Sequence, residues 1–87
     1  MVIQIEDGQF NAPRYVHRAG AVRLLLKTRG TGGPYAFGLD ELDLRRELPA
    51  SGSVVIPCGP LSAGEHVMQV RRADGRSSTA ILEVAPG

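Results

Sequence analysis

Four side chains of this 87-residue chain supply the soft and imidazole ligands of a copper site: the single cysteine Cys58, the two histidines His17 and His66, and Met68. Thiolate, imidazole and thioether together are the donor types that copper prefers. Their spacing works against a shared site. Cys58 and His66 stand eight residues apart across a turn containing Gly59-Pro60, while His66 and Met68 alternate on one strand face. Each also has a structural role open to it. Cys58 continues the face of Val54 and Ile56 as a small buried hydrophobe, Met68 fills the core, and His17 is a half-buried imidazole bonded to a backbone carbonyl. The structural roles are favoured, with no cofactor expected. Copper held by His17, Cys58, His66 and Met68 is the alternative, because a close hairpin could still join Cys58 to Met68 or His66.

A second constellation is cationic. Arg71, Arg72 and Arg76 surround the tight turn Ala73-Asp74-Gly75. Guanidinium groups take carboxylate or phosphate in a bidentate grip. The plain alternative is a solubilising hairpin tip partly neutralised by Asp74.

Catalytic patterns are absent. The serines at 51, 53, 62, 77 and 78 fall in or beside turns, and none has a histidine at a motif spacing. Asp40, Glu41 and Asp43 could hold calcium if loop carbonyls converged on them, but a solvated acidic stretch paired with Arg45 and Arg46 is favoured. Gly30-Thr31-Gly32-Gly33 lacks the Lys-Ser or Lys-Thr pair of a phosphate loop. No enzyme is expected.

The elements that must position these groups follow from composition and period. With 43% hydrophobic and 22% charged residues, the chain reads as one domain, residues 1–87. A net charge of +1 gives no general attraction to nucleic acid or anionic lipid. The longest apolar run, Leu24-Leu25-Leu26, is too short to insert in a membrane, and no charged and apolar leader opens the chain. One cysteine allows no intrachain disulfide.

Turn signals recur every eight to twelve residues, at Asp7-Gly8, Ala19-Gly20, Arg29 to Pro34, Pro49 to Gly52, Gly59 to Gly64 and Ala73 to Gly75. Between them the apolar residues alternate: Val22, Leu24, Leu26; Tyr35, Phe37, Leu39; Val54, Ile56, Cys58; His66, Met68, Val70; Ala80, Leu82, Val84. An all-β Greek-key sandwich of about seven strands is expected. Its core should hold Ile3 or Val2, Val22, Leu24, Leu26, Phe37, Leu39, Val54, Ile56, Met68, Val70, Leu82 and Val84. Asp40 to Leu48 reads as an irregular crossing.

The order of landmarks resembles small cupredoxin-like domains of blue-copper and periplasmic iron-uptake proteins. A first strand Val2 to Ile5 leads to Phe10, the bend Asn11-Ala12-Pro13, the strand Tyr15-Val16-His17 and the turn Ala19-Gly20. Then come an apolar strand Val22 to Lys27, a loop before Tyr35-Ala36-Phe37, a Leu-rich crossing Leu39 to Leu44, the turn Pro49 to Gly52 with the strand Ser53 to Ile56, and Ser62-Ala63-Gly64 before Glu65 to Val70. The resemblance implies an extracytoplasmic or periplasmic setting. It also implies that the loop Arg29 to Pro34 and the turn Arg71 to Arg76 share the end where the family holds copper. The family's first imidazole is matched by Tyr35, and its ligand loop by Val70 to Ser77, which contains no Cys, His or Met. A metal-free module follows, binding a protein partner or a neighbouring domain through Arg29, Tyr35, Arg71, Arg72 and Arg76. Tyr35 is expected to be exposed there, the partner acidic, and the pair Arg71→Glu with Arg72→Glu harmless to the fold. An immunoglobulin-like interaction domain is the third reading.

Overall fold

Alternating apolar residues become strands wherever one face of the chain can be buried and the other wetted. The computed structural model describes residues 1–39 and 43–86, and those residues form an all-β fold with no helix. The nine strands are β1 (Val2–Glu6), β2 (Gln9–Phe10), β3 (Arg14–His17), β4 (Ala21–Arg29), β5 (Tyr35–Leu39), β6 (Leu44–Leu48), β7 (Gly52–Pro60), β8 (Gly64–Arg71) and β9 (Ser77–Val84).

They assemble into two mixed sheets. One has the order β2-β1-β4-β7 and the other β3-β9-β8-β5-β6. Two neighbours run parallel, β1 with β4 and β3 with β9, and the rest are antiparallel. The chain passes from the first sheet to the second through the bend Asn11-Ala12-Pro13, since β2 pairs with β1 and β3 with β9. The rings of Phe10 and Tyr15 meet edge to face across that bend, with centroids 6.4 Å apart.

The buried faces of both sheets feed one hydrophobic cluster. Ile3 and Ile5 of β1, Leu24 and Leu26 of β4 and Ile56 of β7 join Phe37, Leu39, Met68, Val70 and Leu82 of the other sheet. The buried Thr28 hydroxyl is bonded: its Oγ1 donates to Pro49 O at 2.7 Å, which ties β4 to the loop after β6. On the outside, Glu65 and Glu83 lie directly opposite each other on β8 and β9, an arrangement that repels. Arg14 of β3 relieves it by pairing with both, Glu65 at 2.7 Å.

Expectations for the strand number, for residues 44–48 and for the burial of Val54 and Cys58 are corrected. Two more strands form than the seven expected: β2 is too short to show alternation, and Leu44–Leu48 is a strand instead of an irregular crossing. Arg46, opposite Phe37, occupies the inward parity of β6 yet stays exposed because β6 is an edge strand, and this breaks the apolar pattern. Asp40, Glu41 and Leu42, the rest of that segment, lie outside the described residues. Of the two alternatives at the first strand, Ile3 is the one that faces the core, while Val2 is 51% exposed. Val54 and Cys58 are only half-buried beside the core, because β7 is the outer strand of its sheet.

Candidate functional site

Three connections converge at one end of the fold: the β1–β2 turn at Asp7-Gly8, the loop Gly30 to Pro34, and the turn Arg72 to Arg76. Hydrogen bonds join them. Asp7 N donates to Arg29 O at 3.0 Å, Ala73 N to Gly32 O at 3.0 Å, and Thr31 N to the Asp7 carboxylate at 2.8 Å. The β8–β9 turn closes on itself through Arg72 N to Arg76 O at 2.7 Å and Arg76 N to Asp74 Oδ1 at 3.0 Å.

Arg72 is the residue around which this end is packed. The period of two that buries Met68 and Val70 continues one step past β8 and turns the Arg72 side chain inward, under the loops. A Cβ added at Gly8 would overlap Arg72 Cγ and stand 3.2 Å from the Tyr35 ring; one added at Gly32 would stand 2.7 Å from Arg72 Nε. Both glycines also carry φ values, +77° and +92°, that side chains rarely adopt. The Arg72 guanidinium reaches Asp74 at 3.5 Å, while its Nε is buried with no hydrogen-bond partner.

Tyr35 is 1% exposed, against the expectation of a surface ring. It shares the inward face of Phe37 and Leu39, and its hydroxyl donates to Thr31 O at 2.6 Å, so its tip is satisfied within the loop. Tyr35 therefore cannot offer a contact surface without opening the core. Arg29 and Arg76 do sit at the surface, each beside an acid, Glu6 at 3.5 Å and Asp74 at 4.0 Å. Such exposed pairs contribute about 0–1 kcal/mol and leave both guanidiniums available. Arg71 points outward from the last residue of β8.

The four metal-capable side chains are not gathered. Among the described residues no three of His, Cys, Asp and Glu stand close enough to share an ion. His17 Nδ1 donates to Arg18 O at 2.6 Å and His66 Nε2 to Ser62 O at 2.7 Å. Met68 is fully buried in the cluster. Of the acidic stretch, Asp43 is exposed and Asp40 and Glu41 lie outside the described residues.

Cys58 sits at a β-bulge. Val22 pairs with Gly59 and Arg23 with Pro57, so Cys58 is the extra residue of β7 and loses the strict inward parity of Ile56. Burial pushes its thiol pKa up. The thiolate fraction near neutral pH is thereby reduced, and the folded protein should react with iodoacetamide more slowly than the urea-unfolded chain, the gap closing as pH rises. Equal rates near neutral pH would place the sulfur in open solvent.

Comparison with protein-family models gives no match to this chain, and comparison with curated proteins gives none either.

Proposed function

We propose that this chain is a cupredoxin-like β-sandwich module that binds a protein partner, with no type 1 copper site and no catalytic centre. The two parallel pairings, β1 with β4 and β3 with β9, favour this over an immunoglobulin-like sandwich, which is built from two antiparallel sheets. The observation that carries the reading is Arg72. At the end where the resemblance would place copper, the space under Gly8 and Gly32 is filled by a guanidinium arm and the Tyr35 ring. A cation and a phenol whose proton is committed to Thr31 O do not fit a soft copper ion, which wants imidazole and thiolate.

The partner surface is then the rim around that plug, where Arg29, Arg71 and Arg76 are exposed and Arg72 and Tyr35 act as its support. Acidic groups of a partner would meet the free guanidinium edges. Titration with copper should produce no intense thiolate-to-copper absorption; a strong visible band would overturn the metal-free reading. Charge reversal should be made at Arg71 and Arg76, because Arg72 is packed inside and its replacement would disturb the fold. In pull-downs from native extract, Arg71→Glu with Arg76→Glu should lower recovery of the partner about tenfold or more. High salt should do the same to the unaltered protein. Equal recovery by the variant would rule out this rim.

A further inference from the structure

The outward face of the five-stranded sheet carries a trough along β5. Its outward positions are Ala36 and Gly38, while their neighbours in register are long. Ala36 lies between Glu47 of β6 and Arg71 of β8, and Gly38 between Arg45 of β6 and Gln69 of β8. A cavity opens over this floor, lined by Ala36, Phe37, Gly38, Arg45, Gln69 and Arg71. A neighbouring one, formed among others by Pro34, Ala36, Arg71 and Arg72, extends it toward the loop end. Among the described residues, a Cβ built on Gly38 would find only Leu44 O, 3.7 Å away, so the floor is open.

The trough combines this open floor with two cations that, like Arg18, Arg23, Lys27 and Arg46 among the described residues, have no carboxylate partner. Arg14, Arg29, Arg72 and Arg76 each pair with a carboxylate. Among the described residues neither Arg45 nor Arg71 makes such a pair, although Glu47 lies across Ala36 from Arg71. Two unneutralised guanidiniums thus flank a strand stripped of side-chain bulk, with the Gln69 amide beside them.

We infer that this trough binds the side-chain carboxylates of an extended acidic segment of a partner protein, held by Arg45 and Arg71. The inference rests on the reading of the chain as a protein-binding module and moves the main contact from the loop end to the sheet face. An extended segment fits better than a small free anion. The trough is open to water, where a lone ion pair contributes little, whereas a peptide would add contact with the floor and with Pro34. Nucleic acid fits less well, because a phosphate backbone requires a wider basic tract than a chain of net charge +1 with Glu47 on the trough wall provides.

The probe is a fluorescein-labelled oligoglutamate followed by anisotropy at low salt. Arg45→Glu with Arg71→Glu should weaken its binding about tenfold or more. Gly38→Leu, which fills the floor without altering charge, should do likewise, and both variants should keep the unaltered protein's circular dichroism. Glu47→Gln, an exposed change that spares the fold, should tighten binding by removing a repelling charge. The loop-end variant Arg29→Glu with Arg76→Glu should weaken binding less than the trough variants do, and Arg23→Glu, an exposed change on β4 in the other sheet, should leave it as in the unaltered protein. No saturable binding by the unaltered protein, or unchanged binding by the trough variants together with no gain from Glu47→Gln, overturns the inference. Binding lost only in the loop-end variant also overturns it, while leaving the wider proposal of an acidic partner in place.

Discussion

Phe37→Ala is expected to destabilise the protein by about 3–5 kcal/mol, through lost apolar burial and an unfilled cavity. Phe37 is 1% exposed on β5, between β8 and β6, and its ring belongs to the cluster that both sheets share. Its neighbours are held by sheet hydrogen bonds on either side and cannot collapse far into the space it would leave. Domains of this kind retain only about 5–15 kcal/mol in total, so a large share of the stability rests on one ring. Urea unfolding followed by circular dichroism measures the effect. A midpoint equal to that of the unaltered protein would mean that the two sheets do not share a core.

Gly8→Val should cost about 2–3 kcal/mol, from a β-branched residue forced to positive φ and from displacement of the Arg72 arm. The first cause acts at φ +77°, where valine is an outlier, and the second at the overlap of the new Cβ with Arg72 Cγ. Gly8→Asn separates them, since asparagine tolerates the left-handed backbone but its Cβ meets the same arm. Thermal melts should place Asn between Gly and Val. A Gly8→Asn protein as stable as the unaltered one would show that Arg72 is not held under the turn, and the packed-plug account of this end would fail.

The strands that bury alternate residues on one face were legible in the chain, because β4, β5, β8 and β9 keep period two along their length. What escaped had a local physical cause. β6 was hidden by Arg46, a charged residue tolerated at an inward parity only on an edge strand. A count in twos from Val54 puts Cys58 on the inner face, and the bulge after Pro57 breaks that count. Tyr35 carried two conflicting signals: its place after a Gly-rich loop and Pro34 points to a surface, its parity with Phe37 and Leu39 to the core. Burying a ring outweighs loop composition, and Thr31 O satisfies its hydroxyl. Arg72 could have been turned inward by the same parity, counted on from Val70. The trough could not, because it depends on β6 lying beside β5, a pairing that the sequence does not reveal.

The crossing at Asn11 to Pro13 bears on how the chain reaches this structure. Having left the first sheet, β3 lies at the margin of the second, with β9 as its strand neighbour, and Arg14 and Glu83 are 69 residues apart in sequence. Closing so long a loop loses entropy before any contact repays it, which slows folding. During synthesis Arg14 to His17 are made well before β9 and must wait for it to supply their strand partner. A ribosome stalled before Ser77 would therefore hold a nascent chain with an open strand edge, a natural substrate for chaperones and proteases.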